Sequence, residues 1–162
     1  MELVLMRIDD RFIHGQITTT WMSWSGAEMI WVVNDKIASN LFVKKMQEGL
    51  APAKVYGVEE AIKQWDEDKD RNTKVFILTA GPKDSLALIK NGIKLDWLSV
   101  GGMGYRNGRV QVSQQTSVTK EEAKLFKEIY DMGIKLIERI TPVSDRPEDF
   151  MELLKKHPEL FK

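Results

Sequence analysis

Arg7-Ile8-Asp9-Asp10-Arg11-Phe12-Ile13-His14-Gly15-Gln16 decides how this chain is read. It begins as the end of an apolar strand, Glu2 to Ile8, and breaks into a loop of opposed charges. One of only two histidines in the chain stands at its tip. Gly15 lets the backbone turn sharply, and Ile17, Trp21 and Trp24 then recur at helical spacing. Strand, charged loop, histidine, glycine, helix is the order in which α/β proteins place chemistry. The carboxyl end of a strand there faces a helix N-terminus that favours anions.

A neutral imidazole is a good nucleophile near neutral pH, since an unperturbed ring titrates at about 6.5. It can attack phosphorus and hold a phosphoryl group, provided fixed positive charge or backbone N–H groups meet the arriving dianion. Arg7 and Arg11 can supply the charge, and the Gly15, Gln16 and Ile17 amides the N–H groups. The planar arginine fork fits phosphate oxygens better than lysine does. Asp9 or Asp10 can hold one ring nitrogen so that the other keeps its lone pair. The competing reading makes His14 a capping or core residue with the Asp and Arg side chains in surface ion pairs. A metal centre has little to draw on, because there is no cysteine and His157 is the only other histidine.

Working outward, apolar runs alternate with helical spacing about five times. Strands are expected at Leu3–Met6, Met29–Val33, Val55-Tyr56, Val75–Leu78 and Trp97–Val100. Helices are expected between them, including one over Ala38–Leu50 with Leu41, Met46 and Leu50 in the core, and one over Asp84–Lys90. The spacing allows right-handed crossovers and hence an α/β fold with an open, mainly parallel sheet and helices on both faces. A C-terminal hairpin and strand extension follows. Asn107-Gly108 signals a hairpin between Tyr105-Arg106 and Arg109–Val112, and Thr119 with Glu122 forms a capping box. Ala123, Phe126 and Tyr130 then share a helix face. Ile134–Ile140 reads as the last strand, and Pro147 as the start of a final helix. Trp21, Trp24, Trp31 and Trp97 fall on apolar faces. Asn34-Asp35 and Thr79 end strands as His14 does, so a parallel sheet puts them on the same edge. Asp35 can then reach Arg7, Arg11 or the His14 ring.

With 162 residues the chain is read as one domain, residues 1–162. Lysine plus arginine and aspartate plus glutamate are equal at 24 each, which gives no bias toward nucleic acid or an anionic membrane. No run of residues suits a signal peptide or a transmembrane span. Gly102, Gly104 and Gly108 are spaced wrongly for a dinucleotide motif and lead into a strand instead of a helix. A cytoplasmic protein without metal or cofactor is the expectation.

The Arg7–Gln16 stretch resembles the phosphorylation loop of IIB components of the mannose/fructose/sorbose family of the phosphoenolpyruvate-dependent sugar phosphotransferase system. That family reads R-[IV]-D-[DE]-R-L-I-H-G-Q after its first strand, and only Phe12, in place of leucine, departs from it. The resemblance extends through Asn34-Asp35, Gly101-Gly102-Met103 and the glycine-rich hairpin beyond. It implies that His14 accepts a phosphoryl group from a IIA phosphocarrier and passes it to a sugar, a hexose or amino sugar. The sugar would be held by the IIC and IID membrane components. Arg7, Asp9, Asp10 and Arg11 would assist His14, with Gly15, Gln16, Asn34, Asp35 and Thr79 in support. Family members can carry an arginine in the helix after Asn34-Asp35. Val43 takes that place here, with Lys44 and Lys45 beside it. The alternative is a regulatory module that only grips a phosphate or sugar acid. Oligomeric state stays open, a homo-oligomer included.

Overall fold

The computed structural model describes residues 1–143 and 146–162, with the backbone alone for Gln16 and Ile17. The sheet has seven strands among the described residues, in the order β3-β2-β4-β1-β5-β8-β9. They are β1 (Glu2–Ile8), β2 (Met29–Val33), β3 (Ala53–Tyr56), β4 (Lys74–Thr79), β5 (Trp97–Val100), β8 (Lys135–Glu138) and β9 (Glu148–Asp149). All pair in parallel except β9, which runs antiparallel to β8. β1 lies between β4 and β5, with Arg7 in register with Leu78 on one side and Ser99 on the other.

Alternation along the strands feeds two cores, as it must when both faces of a parallel sheet are covered. Leu5, Ile30, Val32, Phe76 and Leu78 pack with Trp21 of α1 (Gly15–Ser25) on one face. Met6, Ile8, Trp31, Ile77 and Leu98 pack on the other face. That face is covered by α4 (Val58–Glu67), α5 (Pro82–Lys90), α6 (Lys120–Asp131) and α7 (Phe150–Lys155). The open, mainly parallel α/β sheet expected from the apolar runs is the fold observed. The capping box of Thr119 and Glu122 opens α6, and Gly26, at φ 75°, closes α1 in the left-handed region.

Several local expectations need correction. The helix expected over Ala38–Leu50 is two helices, α2 (Asp35–Ser39) and α3 (Leu41–Glu48). Asn40 stands extended between them, and its side chain accepts the Val43 N–H as the cap of α3. That break sets the orientation of α3, so Leu41, Met46 and Leu50 are exposed and the buried residue is Gln47. Trp24 is half-exposed at the rim of Trp21 and Trp97. Ile129 takes the buried place on α6 that Tyr130 was expected to fill.

Asn107-Gly108 does turn the chain, with the Arg109 N–H reaching the Arg106 carbonyl and Gly108 at φ 87°. The antiparallel pair, however, is β6 (Val110-Gln111) with β7 (Ser117-Val118). Arg109 is drawn aside to the Gly104 carbonyl and Glu122, which takes Tyr105-Arg106 out of any ladder. Pro147 does not start the last helix. β9 intervenes, and Asp149 caps α7 by accepting the Met151 and Glu152 N–H groups.

Candidate functional site

The loop between β1 and α1 is pinned at both ends by the backbone. The Asp9 N–H donates to the Thr79 carbonyl and the Asp10 N–H to the Gly102 carbonyl, so the loop is strung between the ends of β4 and β5. A tight turn follows, in which the Phe12 N–H donates to the Asp9 carbonyl. Phe12 has φ 58°, a left-handed conformation that costs a non-glycine residue about 1–2 kcal/mol. Burial of its ring against the α1-side core holds it there. Gly15, at φ 44°, completes the reversal into α1.

Asp9 is the centre of the loop. It is 1% exposed and sends Oδ1 to the Arg11 N–H and Nε, both at 3.1 Å. Its Oδ2 accepts from Arg11 Nη2 at 3.2 Å and meets His14 Nε2 at 3.1 Å. Burial alone would push the carboxyl up. The hydrogen bonds from Arg11 and His14, together with the Arg11 charge, outweigh burial and hold it below its ordinary value. Asp9 therefore stays ionised through the neutral range and keeps its acceptor toward the ring.

His14 presents the rest. Nε2 faces Asp9, so Nδ1 is the ring nitrogen left with its lone pair, and the side chain is 22% exposed. The His14 N–H donates to Thr18 Oγ1, one turn into α1. His14 is the N-cap residue of α1, and its side chain makes no cap hydrogen bond. Arg11 uses Nε and Nη2 on Asp9 and remains half-exposed.

Arg7 stands near the end of β1, between β4 and β5. Its side chain is buried on the α1 face, with the guanidinium carbon 4.5 Å from the centre of the Trp21 ring. It donates to Ser99 Oγ at 2.9 Å and to the carbonyls of Arg139 and Ile140. It braces the ends of β1, β5 and β8 against one another. Gly101 is required here, because a Cβ would stand 2.6 Å from Arg7 Nη2 and from the Ile8 carbonyl.

The other predicted residues are placed as follows. Asp10 accepts the Gly104 N–H at 2.8 Å and so ties the loop to the glycine run after β5. Asn34 caps α2 through the Ile37 N–H. Asp35, expected near an arginine or His14, instead accepts the Val58 N–H at the start of α4. The Thr79 hydroxyl is bonded to Ser85 Oγ and the Gly81 carbonyl. The Gln16 side chain lies outside the described residues. Among the described residues no cluster of His, Asp or Glu is arranged to hold a metal ion.

Sequence reasoning missed Gln47. Its Oε1 accepts the Ile13 N–H at 2.9 Å and its Nε2 donates to the Ile13 carbonyl, so α3 grips the backbone just before the histidine. No local signal marked it, because the face that α3 turns inward is set by the break at Asn40. Thr18, four residues after His14, was readable from its spacing. Val43 and Lys44 of α3 are half-buried and Lys45 is exposed.

Known proteins share this fold over nearly the whole chain. The sequence profile described as "PTS system sorbose subfamily IIB component" matches residues 3–161. A fructose-specific EIIB component of Bacillus subtilis is 37% identical over 159 residues, covering 96% of this chain and 97% of that protein. The mannose-specific EIIAB component of Escherichia coli K12 is 34% identical over 161 residues, 96% of this chain but 49% of the longer relative. The crystal structure of the IIB domain of the Klebsiella pneumoniae sorbose permease superposes with a TM-score of 0.92 at 27% identity, covering 97% of this chain and 98% of that one. A strand-end loop carrying an oriented histidine, on a fold shared over nearly the whole chain, leads to one assignment: the chain belongs to the sorbose subfamily of IIB components, phosphotransferase units of the sugar-transporting phosphotransferase system.

Proposed function

We propose that His14 carries the phosphoryl group, on Nδ1, between a IIA donor and a sugar. The observation that supports this reading is the contact of His14 Nε2 with the buried Asp9 carboxylate, which directs the free lone pair of Nδ1 outward. In the first transfer that lone pair attacks phosphorus in line. The N–P bond to His14 forms as the donor's P–N bond breaks, and its electron pair returns to the donor imidazole. In the second, a sugar hydroxyl attacks phosphorus, its proton leaves to a base, and the pair of the breaking N–P bond returns to Nδ1. Neither step calls for a metal or nucleotide, because the donor bond is already reactive.

The neighbours have distinct work. Asp9 fixes the ring and stabilises its Nε2–H as the phosphoryl group arrives. Arg11 turns the remaining Nη1 toward the phosphoryl oxygens, joined by the first amides of α1 from Gly15 onward. Arg7, Asp10 and Gln47 hold the loop in shape. Asn34, Asp35 and Thr79 support the strand ends around it. The donor is a phosphorylated IIA unit. The acceptor is a hexose or amino sugar held by IIC and IID membrane components, which this chain, residues 1–162 as one IIB unit, meets from the cytoplasm. Among the described residues no helix is long and apolar enough to cross a membrane.

The test is incubation of the pure protein with phosphoenolpyruvate and its relay proteins, including the cognate IIA. Acid-labile, alkali-stable phosphate should appear on the wild-type chain and on His157→Ala, and none on His14→Ala, whose melting should match wild type. Labelling that persists in His14→Ala overturns the assignment. No labelling of the wild type would leave a module that merely binds phosphate or a sugar acid.

A further inference from the structure

The glycine run after β5 forms one wall of the phosphoryl loop. The Asp10 N–H donates to the Gly102 carbonyl, and the Asp10 carboxylate accepts the Gly104 N–H at 2.8 Å. Gly102 backs onto the Asp9–Arg11 pair. A Cβ there would stand 3.3 Å from Arg11 Nη2 and 3.4 Å from Asp9 Oδ1. A shift of this run therefore reaches the carboxylate that holds the His14 ring.

Met103 anchors the middle of the run. It is buried, its N–H donates to the Gln115 carbonyl, and its own carbonyl accepts the Ser117 N–H. Beyond it, residues 104–108 are exposed and belong to no strand or helix. Hydrogen bonds in such a segment compete with water and fix its position weakly by themselves. Arg109 supplies the anchor. Its Nη1 donates to the Gly104 carbonyl at 2.6 Å and its Nη2 to Glu122 Oε2 at 3.1 Å, and its side chain is 12% exposed. Glu122 is itself held, because its other oxygen accepts the Thr119 N–H in the capping box of α6. Gly104 is thus gripped at both backbone groups, the carbonyl by Arg109 and the N–H by Asp10. The guanidinium suits this task, since its planar fork meets two acceptors in fixed directions.

We infer that Arg109 is a positioning residue for phosphoryl transfer, fixing the His14 loop through Gly104 and Asp10 with the first turn of α6 as its anchor. The inference rests on His14 as the phosphoryl carrier and adds a residue outside the loop to that reading.

Rates of labelling from phosphorylated IIA test it on the intact chain, in wild type, Arg109→Ala, Arg109→Lys, Asp10→Ala and the double alanine variant. Arg109→Ala should lower the rate at saturating donor about tenfold or more and leave the half-saturating donor concentration unchanged. Arg109→Lys keeps one donor for the Gly104 carbonyl and should recover part of the rate. In the Asp10→Ala background Arg109→Ala should have no further effect, because the link is already cut. The His14 ring resonances should move in the NMR spectrum of Arg109→Ala, while those of His157 stay in place. Should Arg109→Ala fail to fold, the Arg109→Lys rate, with and without Asp10, decides. Three outcomes overturn the inference alone while the wild type labels: a folded Arg109→Ala that transfers at wild-type rate, His14 ring resonances that do not move, or effects of the two alanine variants that multiply. The last would show the Arg109 charge acting on the phosphoryl group without Asp10. A wild-type chain that takes no label overturns the role of His14, and this inference with it.

Discussion

After β1 the chain runs Asp9-Asp10, and after β2 it runs Asn34-Asp35. Both pairs leave the sheet at the same edge, and their carboxylates end in opposite situations. Asp9 is 1% exposed and gathers Arg11 and His14 around it, whereas Asp35 is on the surface and accepts one backbone N–H of α4. Two physical differences separate them. Six residues, Asp9 to His14, lie between β1 and α1, but only Asn34 lies between β2 and α2. A one-residue connection leaves nothing to fold back, so Asp35 becomes the first residue of a helix pointing outward. Position in the sheet is the second difference. From β1 the chain crosses to β2 on one side, and from β4 it crosses to β5 on the other, with α1 and α5 on opposite faces. The crevice at such a divergence lies over the end of β1.

Arg7→Ala removes a buried guanidinium and strands Ser99 and two carbonyls. A loss of roughly 3 kcal/mol in unfolding free energy by denaturant titration is expected. A variant as stable as wild type would show that Arg7 does not brace the strand ends.

Next comes the carboxylate itself. Asp9→Asn should slow phosphoryl uptake about 100-fold, because the ring loses the group that orients it and stabilises its charge. Rapid-quench labelling reads this. The same variant has a signature in acid. The folded carboxyl lies below its ordinary value of 3.8, so Asp9 contributes its full stability above that value. The contribution is lost as pH falls through the lowered folded value. Asp9→Asn should therefore flatten the decline of stability below about pH 4. An unchanged acid profile would mean that Asp9 is not held by Arg11 and His14 in solution.

Arg11→Ala sharpens the picture within the loop. Its side chain is half-exposed, so the melting temperature should barely move, while transfer should fall about tenfold or more. Transfer at wild-type speed would reduce Arg11 to a companion of Asp9.

The smallest effect belongs to the other loop. Asp35→Ala removes a cap and should cost about 1 kcal/mol or less in denaturant titration, with phosphoryl uptake unchanged. It should also lower the Asp84 pKa. Burial first, and the Asp35 charge second, raise that carboxyl now. A large fall in transfer for Asp35→Ala would join the two loops into one site.

Local pattern sufficed wherever a residue's role depends on its immediate neighbours in the chain. The apolar runs of β1, β2 and β4, the Thr119 capping box and the placing of His14 between strand and helix are of this kind, since period, cap and turn chemistry act within a few residues. His14, its nearby carboxylate and Arg11 were legible as a group because the loop brings them together by itself. Tertiary structure decided everything that depends on which face or strand lies opposite. It turned Gln47 inward and Leu41 outward once Asn40 broke the helix, and it exchanged Tyr105-Arg106 for Ser117-Val118 as half of a ladder. It also sent Arg7 under Trp21 to the ends of β5 and β8. Glu138 and Arg139 looked like the ordinary end of a strand. Only the packing of a loop some 25 residues earlier gave one Glu138 carboxylate oxygen three partners and left the other with none among the described residues, because long-range contacts fix which polar groups are satisfied.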